Sequence, residues 1–336
     1  MEDVFIIAEA GVNHNGSLDM AFRLVEAARQ GGADAVKFQA FHSDLLTTCS
    51  AGKADYQKKY TPANETQIEM LRGLELSFDQ HHKIKQHCAE VGIEYMASPF
   101  DESSADMLAS LDVQRFKVPS GEITNLPLLA SIAGKHKHIL LSTGMSTIGE
   151  VEEAVQAIRA HTAAGMTLLH CVTEYPAPFS EINLRVMQTL RTAFGLPVGY
   201  SDHTPGIEIA LAAAALGATV IEKHMTLDRN LPGPDHKASL EPAEFACMVA
   251  SIRNVSQALG DGIKAPARCE MKNLLVARKS IVAARSLPAG HRIVRSDLAV
   301  KRPGSGLPAK MIDAFLGRTL CTAVERDSLM TWDLLK

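Results

Sequence analysis

The stretch "VFIIAEAGVNHNG" (residues 4–16) begins as a short apolar, β-branched-rich run and turns polar at Glu9, Asn13 and His14. A run of this length, bounded by turn residues, suits a strand buried on both faces of a sheet. Two parallel-sheet architectures start this way. An open doubly wound sheet usually follows its first strand with a Gly-rich phosphate turn. Here the strand leads into "EAGVNHNG", which contains no GxGxxG. That favours a closed (β/α)8 barrel.

The same event recurs seven times: "AVKFQAF" from residue 35, "IEYMASPF" from 93, "RFKVPSGE" from 115, "ILLSTGM" from 139, "MTLLHCVTEYP" from 166, "LPVGYSDH" from 196 and "TVIEKHMT" from 219. Helical patterns lie between them, such as "SLDMAFRLVEAARQGGA", with a Ser/Asp start and a Gly-Gly stop, "GEVEEAVQAIRAHTAAG" and "IEIALAAAALGA". Eight strand-helix units over some 260 residues match a barrel, whose usual size is about 250 residues. The predicted domains are a barrel over 1–260, a linker over 261–275 ("GDGIKAPAR" and its surroundings) and a small β-rich module over 276–336. In that module "AKMIDAFLG" reads as helical.

Each run becomes polar at its C-terminal end, the rim at which barrel enzymes carry their active sites. The set is Glu9, Asn13 and His14; Lys37 and Gln39; Ser98; Lys117, Ser120 and Glu122; Ser142 and Thr143; His170, Thr173 and Tyr175; Ser201, Asp202 and His203; Glu222 and His224. Taken singly, each is most simply a cap or loop residue. Eight polar strand ends together point to a site.

Bulk properties exclude several classes. The net charge is −4, 46% of residues are hydrophobic and 21% are charged. With basic residues scattered, binding to nucleic acid or a membrane surface is not expected. No stretch approaches the roughly 20 apolar residues of a membrane helix, and the acidic start "MEDVFIIAEAG" is unlike a secretory leader. The six cysteines are dispersed without a CxxC, as expected for free thiols in a cytoplasmic protein.

Two kinds of chemistry are legible at the rim. His203 and His224 end neighbouring strands, and alternation places Ser201 with His203 on one face, and Glu222 with His224 likewise. Two imidazoles so placed could share a divalent cation, with Asp202, Glu222, Asp235 and His236 as further ligands or supports. The alternative is that each ring only hydrogen-bonds within the rim. Lys37, Lys117, Ser120 and Ser201 suggest a phosphate or carboxylate site, since a buried lysine needs an anionic partner. A carboxylate such as Glu122 or Glu222 would serve equally before a ligand arrives.

"IIAEAGVNHNGSL", "AVKFQ", "SPFD", "KVPSGEITNLPLL", "LLSTGMST", "LLHCVTEYPAP", "GYSDHT", "IEKHMTLDRNLPGPDHKASLEP" and "VKRPGSG" occur in this order across the chain. Together they resemble the bacterial sialic acid synthase family, which condenses phosphoenolpyruvate with a hexose to make a nonulosonic acid. The resemblance implies a (β/α)8 TIM barrel followed by an antifreeze-like (SAF) domain, in a domain-swapped homodimer. It implies a divalent cation, manganese first and magnesium or cobalt as alternatives, on His203 and His224. It further implies that Lys37, Ser98, Lys117, Ser120, Thr173 and Ser201 hold phosphoenolpyruvate, with Tyr175 nearby. Glu9, Tyr175 and Asp235 would serve the N-acylated hexose, and Glu9, Glu122 and Glu222 would join the lysines and Tyr175 in the chemistry. Arg302 would reach the sugar's acyl group across the dimer. Some family members have Asn where this chain has Thr173, a shorter donor.

Three acceptors compete within that family: those of N-acetylneuraminate, N,N'-diacetyllegionaminate and pseudaminate. "PSGEITNLP" with "GPDHKASLEP" and "LGDGIK" resembles most the diacetyllegionaminate type, with N-acetylneuraminate second. Outside the family, the alternatives are a metal-dependent pyruvate aldolase and a non-catalytic sugar- or ice-binding protein.

Overall fold

The computed structural model describes residues 3–62 and 64–336. The chain divides into two compact units, Met1–Gly260 and Asp261–Lys336.

The first unit contains eight strands: β1 (Phe5–Gly11), β2 (Ala35–Ala40), β3 (Glu94–Pro99), β4 (Arg115–Val118), β5 (His138–Ser142), β6 (Met166–His170), β7 (Val198–Asp202) and β8 (Val220–His224). Every recorded ladder is parallel, in the order β3-β2-β1-β8-β7-β6-β5-β4, and β3 lies against β4, so the sheet closes into the expected barrel. The eight apolar runs are these strands. The helices read from periodicity form at Leu18–Gln30, Ile148–Arg159 and Glu208–Ala215. Ser17 caps the first through Met20 N, and Thr147 with Glu150 closes a capping box on the second.

Alternation along the strands separates two cores. Outward residues such as Ile6, Val36, Phe38, Phe116, Leu141, Leu168 and Tyr200 pack beneath the helices. Inward residues Ile7, Ala35, Met96, Leu140, Leu169 and Val220 fill the middle of the lumen. At its base the Arg115 guanidinium lies over the Phe5 ring, 4.2 Å from its centroid, and bonds Glu94 at 2.8 Å. With the lower lumen filled, the inward residues one step further along each strand make the floor of a cleft at the C-terminal mouth. In β1 the register with β2 shifts after Glu9↔Lys37, and Gly11 takes a φ of +52° there. A Cβ on Gly11 would stand 3.2 Å from Glu9 Oε1, so glycine lets the backbone turn closely over that carboxylate.

Residues 43–76, which showed no readable element in the sequence, carry the short helices Ser43–Leu46, Asp55–Tyr60 and Gln67–Leu74. Helices of 4–8 residues make too few turns to display a periodicity.

The second unit has an antiparallel pair, β9 (Ser280–Ala283) and β10 (Leu298–Lys301), around a core of Ile281, Leu287, Ile293, Leu298, Phe315, Leu320 and Met330. Two expectations need correction. The helical-looking "AKMIDAFLG" forms a 3-10 helix at Ala309–Phe315, and the stretch read as a plain linker holds a 3-10 turn at Arg268–Glu270 and a helix at Met271–Ala277.

The lumen core is expected to behave as close-packed interior. Leu169→Ala should lower unfolding free energy in urea by about 2–5 kcal/mol, the usual cost of truncating a buried leucine, with the far-ultraviolet circular dichroism of the folded protein unchanged.

Candidate active site

A cavity of about 590 Å³ opens at the C-terminal mouth of the barrel. Its lining includes Glu9, Lys37, Ser98, Lys117, Ser120, Ser142, Thr173, Tyr175, Ser201, His203, Glu222 and His224. Most of these are inward positions of different strands, which is how residues up to 215 apart in sequence converge. Strand register contributes directly: Glu9 is the partner of both Lys37 on β2 and His224 on β8, and Ser201 is the partner of Glu222.

Two ammonium groups and two carboxylates share the floor, each about 4% exposed or less. Lys37 Nζ lies 2.9 Å from Glu9 Oε2 and 3.7 Å from Glu222 Oε2, and it donates to Ser98 Oγ at 3.0 Å. Lys117 Nζ lies 3.3 Å from Glu222 Oε1, which also accepts from Ser201 Oγ at 2.9 Å. Burial opposes ionisation of Glu222, yet Lys117 and Lys37 overcome it and hold the carboxyl at about 2. For Glu9 burial wins against the pull of Lys37 and raises its pKa to about 7. Burial also lowers Lys117, whereas Glu222 and Glu9 outweigh it at Lys37 and raise that ammonium. Thus one carboxylate is a fixed counter-ion and the other can exchange a proton near neutrality.

A second corner is built of hydroxyls. The backbone N–H of Gly144 donates to Ser120 Oγ at 3.0 Å, and Ser120 Oγ lies 3.1 Å from Cys171 Sγ. Ser142 Oγ and Thr173 Oγ1 are buried without a hydrogen-bond partner. A Cβ on Gly144 would come within 2.4 Å of Thr173 Oγ1 and 2.8 Å of Ser120 Oγ, so only glycine leaves this corner open. Unpaired donors beside two ammoniums suit an oxyanion.

The imidazoles of His203 and His224 meet edge to face, with ring centroids 5.6 Å apart and planes inclined at 62°, and Tyr175 packs on His203 at 4.2 Å. His203 Nδ1 lies 2.6 Å from the carbonyl of Val172. A carbonyl only accepts, so Nδ1 carries the proton and Nε2 keeps its lone pair. His224 Nδ1 is buried without a hydrogen-bond partner, with Asp235 Oδ2 3.9 Å away. Burial pulls His203 down to about 4 and His224 well below the ordinary imidazole value, so both rings are neutral at pH 7. Neutral rings with free lone pairs fit a divalent cation. Among the described residues no group of three or more His, Cys, Asp or Glu forms a ready-made shell, so oxygen ligands from substrate or water would complete it.

Several expected site residues lie elsewhere. Glu122 does not line the cavity: its Oε2 accepts from Asn125 Nδ2 at 2.7 Å, in the turn that starts the next helix. Asp235 stands beside His224 rather than in the lining. Asp202 faces outward, because alternation that sends Ser201 inward sends Asp202 to the helix side, where it pairs with Lys223. His236 is bonded to Thr226 Oγ1, and His170 to the carbonyl of Ile182. Asn13 bonds Met225 O and Ser239 Oγ, bridging loops rather than facing the cavity. Arg302 belongs to the second unit, where its Nε donates to Ala277 O at 3.1 Å.

The unread residues are those of the excursion after β2: Leu46, Thr47, Ala54, Asp55, Tyr56, Gln57, Gln67 and Leu71 wall one side of the cavity, and the Tyr56 ring lies 5.0 Å from Tyr175. They follow no strand end, so the rim rule had no means of finding them. Gln39 lines the cavity as its polar strand end suggested, and Cys171, which was not read, lines it as well. Strand alternation could have selected Cys171, which is two residues beyond the inward Leu169.

The model of the NeuB family matches residues 24–264, and that of the SAF domain matches residues 278–336. The chain is 48% identical over 332 residues to an N,N'-diacetyllegionaminic acid synthase of Campylobacter jejuni, covering 98% of this chain and 99% of that one. It is 45% identical to an N,N'-diacetyllegionaminic acid synthase of Legionella pneumophila, covering 98% and 94%. Among solved structures it is similar to an N-acetylneuraminic acid synthetase of Leptospira borgpetersenii in complex with citrate, with 35% identity, a TM-score of 0.73, and 81% and 90% of the two chains covered. A barrel whose mouth carries this set of groups, matched along nearly its full length to such relatives, belongs to the NeuB family and ends in a SAF domain.

Proposed function

We propose that the protein is a nonulosonic acid synthase that condenses phosphoenolpyruvate with 2,4-diacetamido-2,4,6-trideoxymannose, releasing phosphate and giving N,N'-diacetyllegionaminate. The observation that carries this reading is the convergence of two buried ammoniums, an unpaired hydroxyl corner and two neutral imidazoles in one cavity. The acceptor follows the two relatives described above, both N,N'-diacetyllegionaminic acid synthases at 48% and 45% identity.

Lys37 and Lys117 hold the phosphate and carboxylate charge of phosphoenolpyruvate, with Ser98, Ser120, Ser142, Thr173 and Ser201 supplying hydroxyls. In the reaction the enol C3 attacks the aldehyde carbon of the open-chain sugar, forming the new C–C bond. Water adds at C2, and the tetrahedral centre collapses by breaking the C–O bond to phosphate. The lysines stabilise the phosphate as its charge grows. A divalent cation on His203 and His224, manganese first, would polarise the aldehyde as a Lewis acid. Glu9, with a pKa near 7, exchanges a proton with the developing hydroxyl. Tyr175 covers the imidazoles and, with Glu9, faces the sugar, while Asp235 stands beside His224. Glu222 keeps both ammoniums in place. The protein acts as a domain-swapped homodimer in the cytoplasm, in which Arg302 reaches the partner's sugar. Among the described residues no helix is long and apolar enough to cross a membrane.

Four measurements test this reading. Phosphate should appear in step with consumption of 2,4-diacetamido-2,4,6-trideoxymannose and much more slowly with N-acetylmannosamine. The reverse order would overturn the acceptor, and carbon–carbon bond formation without phosphate release would overturn the synthase chemistry. Dialysis against chelator should abolish turnover and Mn²⁺ should restore it; activity that survives stripping removes the two-histidine site. Glu9→Gln should lower kcat by about 10²-fold or more, the usual share of a general acid–base group, and a loss of only a few-fold would assign the proton transfer elsewhere. Gly144→Ala should weaken phosphoenolpyruvate binding by about tenfold, corresponding to roughly 1.4 kcal/mol of crowding at the hydroxyl corner, with the fold intact by circular dichroism.

A further inference from the structure

The ladder between β7 and β8 ends at the pair Asp202↔Lys223, one residue short of both histidines. Past that point the backbone ties each histidine to something other than its partner. The carbonyl of His203 accepts from Ala177 N, and that of His224 from Leu240 N. The link between the two strand ends is instead made by side chains on the outer face. Lys223 Nζ reaches across to Asp202 Oδ2 at 2.8 Å and to the carbonyl of Thr204 at 2.5 Å. Asp202 Oδ1 in turn accepts from Thr204 N at 2.9 Å and Thr204 Oγ1 at 2.8 Å. One ammonium therefore grips the residue before His203 and the residue after it, from the strand position just before His224. Both charged side chains are wholly buried.

Stability alone does not account for such a pair. Taking two charges out of water costs about as much as their attraction returns, and a well-packed apolar pair of similar volume is often as stable or more so. What the pair supplies is a fixed distance and direction between two strand ends at the point where backbone pairing stops. A cation shared by two imidazoles needs that constraint, because ligand distances are tolerated only within about 0.2 Å.

We propose that Lys223, Asp202 and Thr204 form a positioning clamp that sets the spacing of His203 and His224 for the divalent cation. They act from behind the sheet and touch neither substrate nor metal. The inference rests on the reading of the two imidazoles as the cation's ligands.

The test is Mn²⁺ binding to metal-stripped full-length protein, followed by electron paramagnetic resonance, which needs no turnover. Asp202→Leu combined with Lys223→Met removes both charges at similar volume and leaves no buried ion unpaired. This double variant is expected to fold with a Tm near that of the wild type and to bind Mn²⁺ on the order of tenfold or more weakly, the scale seen when supports of metal ligands are removed. Thr204→Val deletes one bond to Asp202 and should weaken Mn²⁺ binding several-fold; it decides alone should the double variant fail to fold. Phosphoenolpyruvate affinity measured without metal, which depends on lysines of β2 and β4, should stay at the wild-type value in both. Wild-type Mn²⁺ affinity in a folded variant overturns the clamp, and so does a parallel loss of metal-free phosphoenolpyruvate binding, which would mark general damage to the mouth. A wild-type protein that binds no Mn²⁺ overturns the two-histidine reading and the clamp with it.

Discussion

The site depends on buried charge being balanced within the barrel mouth. Lys37 and Lys117 lie on buried inward positions of strands that are otherwise mostly apolar, and neither ammonium could stay there unpaired. Glu9 and Glu222 supply the compensation, and they differ. Glu222 contacts both ammoniums and is held ionised, whereas Glu9 contacts only Lys37 and is lifted toward neutrality by burial. Two like groups are thus given different roles by where they stand rather than by what they are. An anionic substrate entering this floor meets cations already desolvated and oriented, so little reorganisation accompanies its binding.

Strand alternation turns that balance into geometry. In one stretch of β8, Glu222 and His224 point into the lumen and Lys223 points out; at the end of β7 and just past it, Ser201 and His203 point in and Asp202 points out. Adjacent residues therefore serve separate layers: a charged and metal-ready inner one, and a fully buried outer one that joins the strand ends. The filled lumen below, from Ile7 to Val220, keeps the inner layer at the mouth. The same alternation explains why polar strand-end residues such as Asp202, Thr143 and His170 are absent from the cavity although they sit beside residues that line it. Thr143 Oγ1 bonds the carbonyl of Leu169, and His170 bonds that of Ile182.

How much was legible follows from these rules. All eight strands and the rim were readable because buried parallel strands write themselves as apolar runs with polar ends. The pairing of His203 with His224 was readable from parity on neighbouring strands. The misplacement of Glu122 was not, because it falls in a turn beyond β4, where alternation no longer constrains direction and a local bond to Asn125 is available. In the small unit, the 3-10 helix at Ala309–Phe315 has the apolar spacing of an α-helix, and periodicity over seven residues does not separate the two.

The excursion after β2 was silent for a different reason, and it bears on specificity. Lysines, carboxylates and imidazoles come from strand ends, whose directions the barrel fixes. The wall of Leu46, Ala54, Tyr56, Gln57, Gln67 and Leu71 comes from short helices and the loops between them, which the barrel does not dictate. Loops on a rigid scaffold are where binding preferences change most freely. The two acceptors weighed for this chain, 2,4-diacetamido-2,4,6-trideoxymannose and N-acetylmannosamine, share the reacting aldehyde end and differ at hexose C4 and C6. Residues that recognise the common part are therefore written in the regular part of the fold, and those that distinguish one acceptor from another are free to lie in the irregular part. Swapping this wall between two NeuB relatives should move acceptor preference while leaving phosphoenolpyruvate affinity in place, and the converse result would put specificity back among the strand ends.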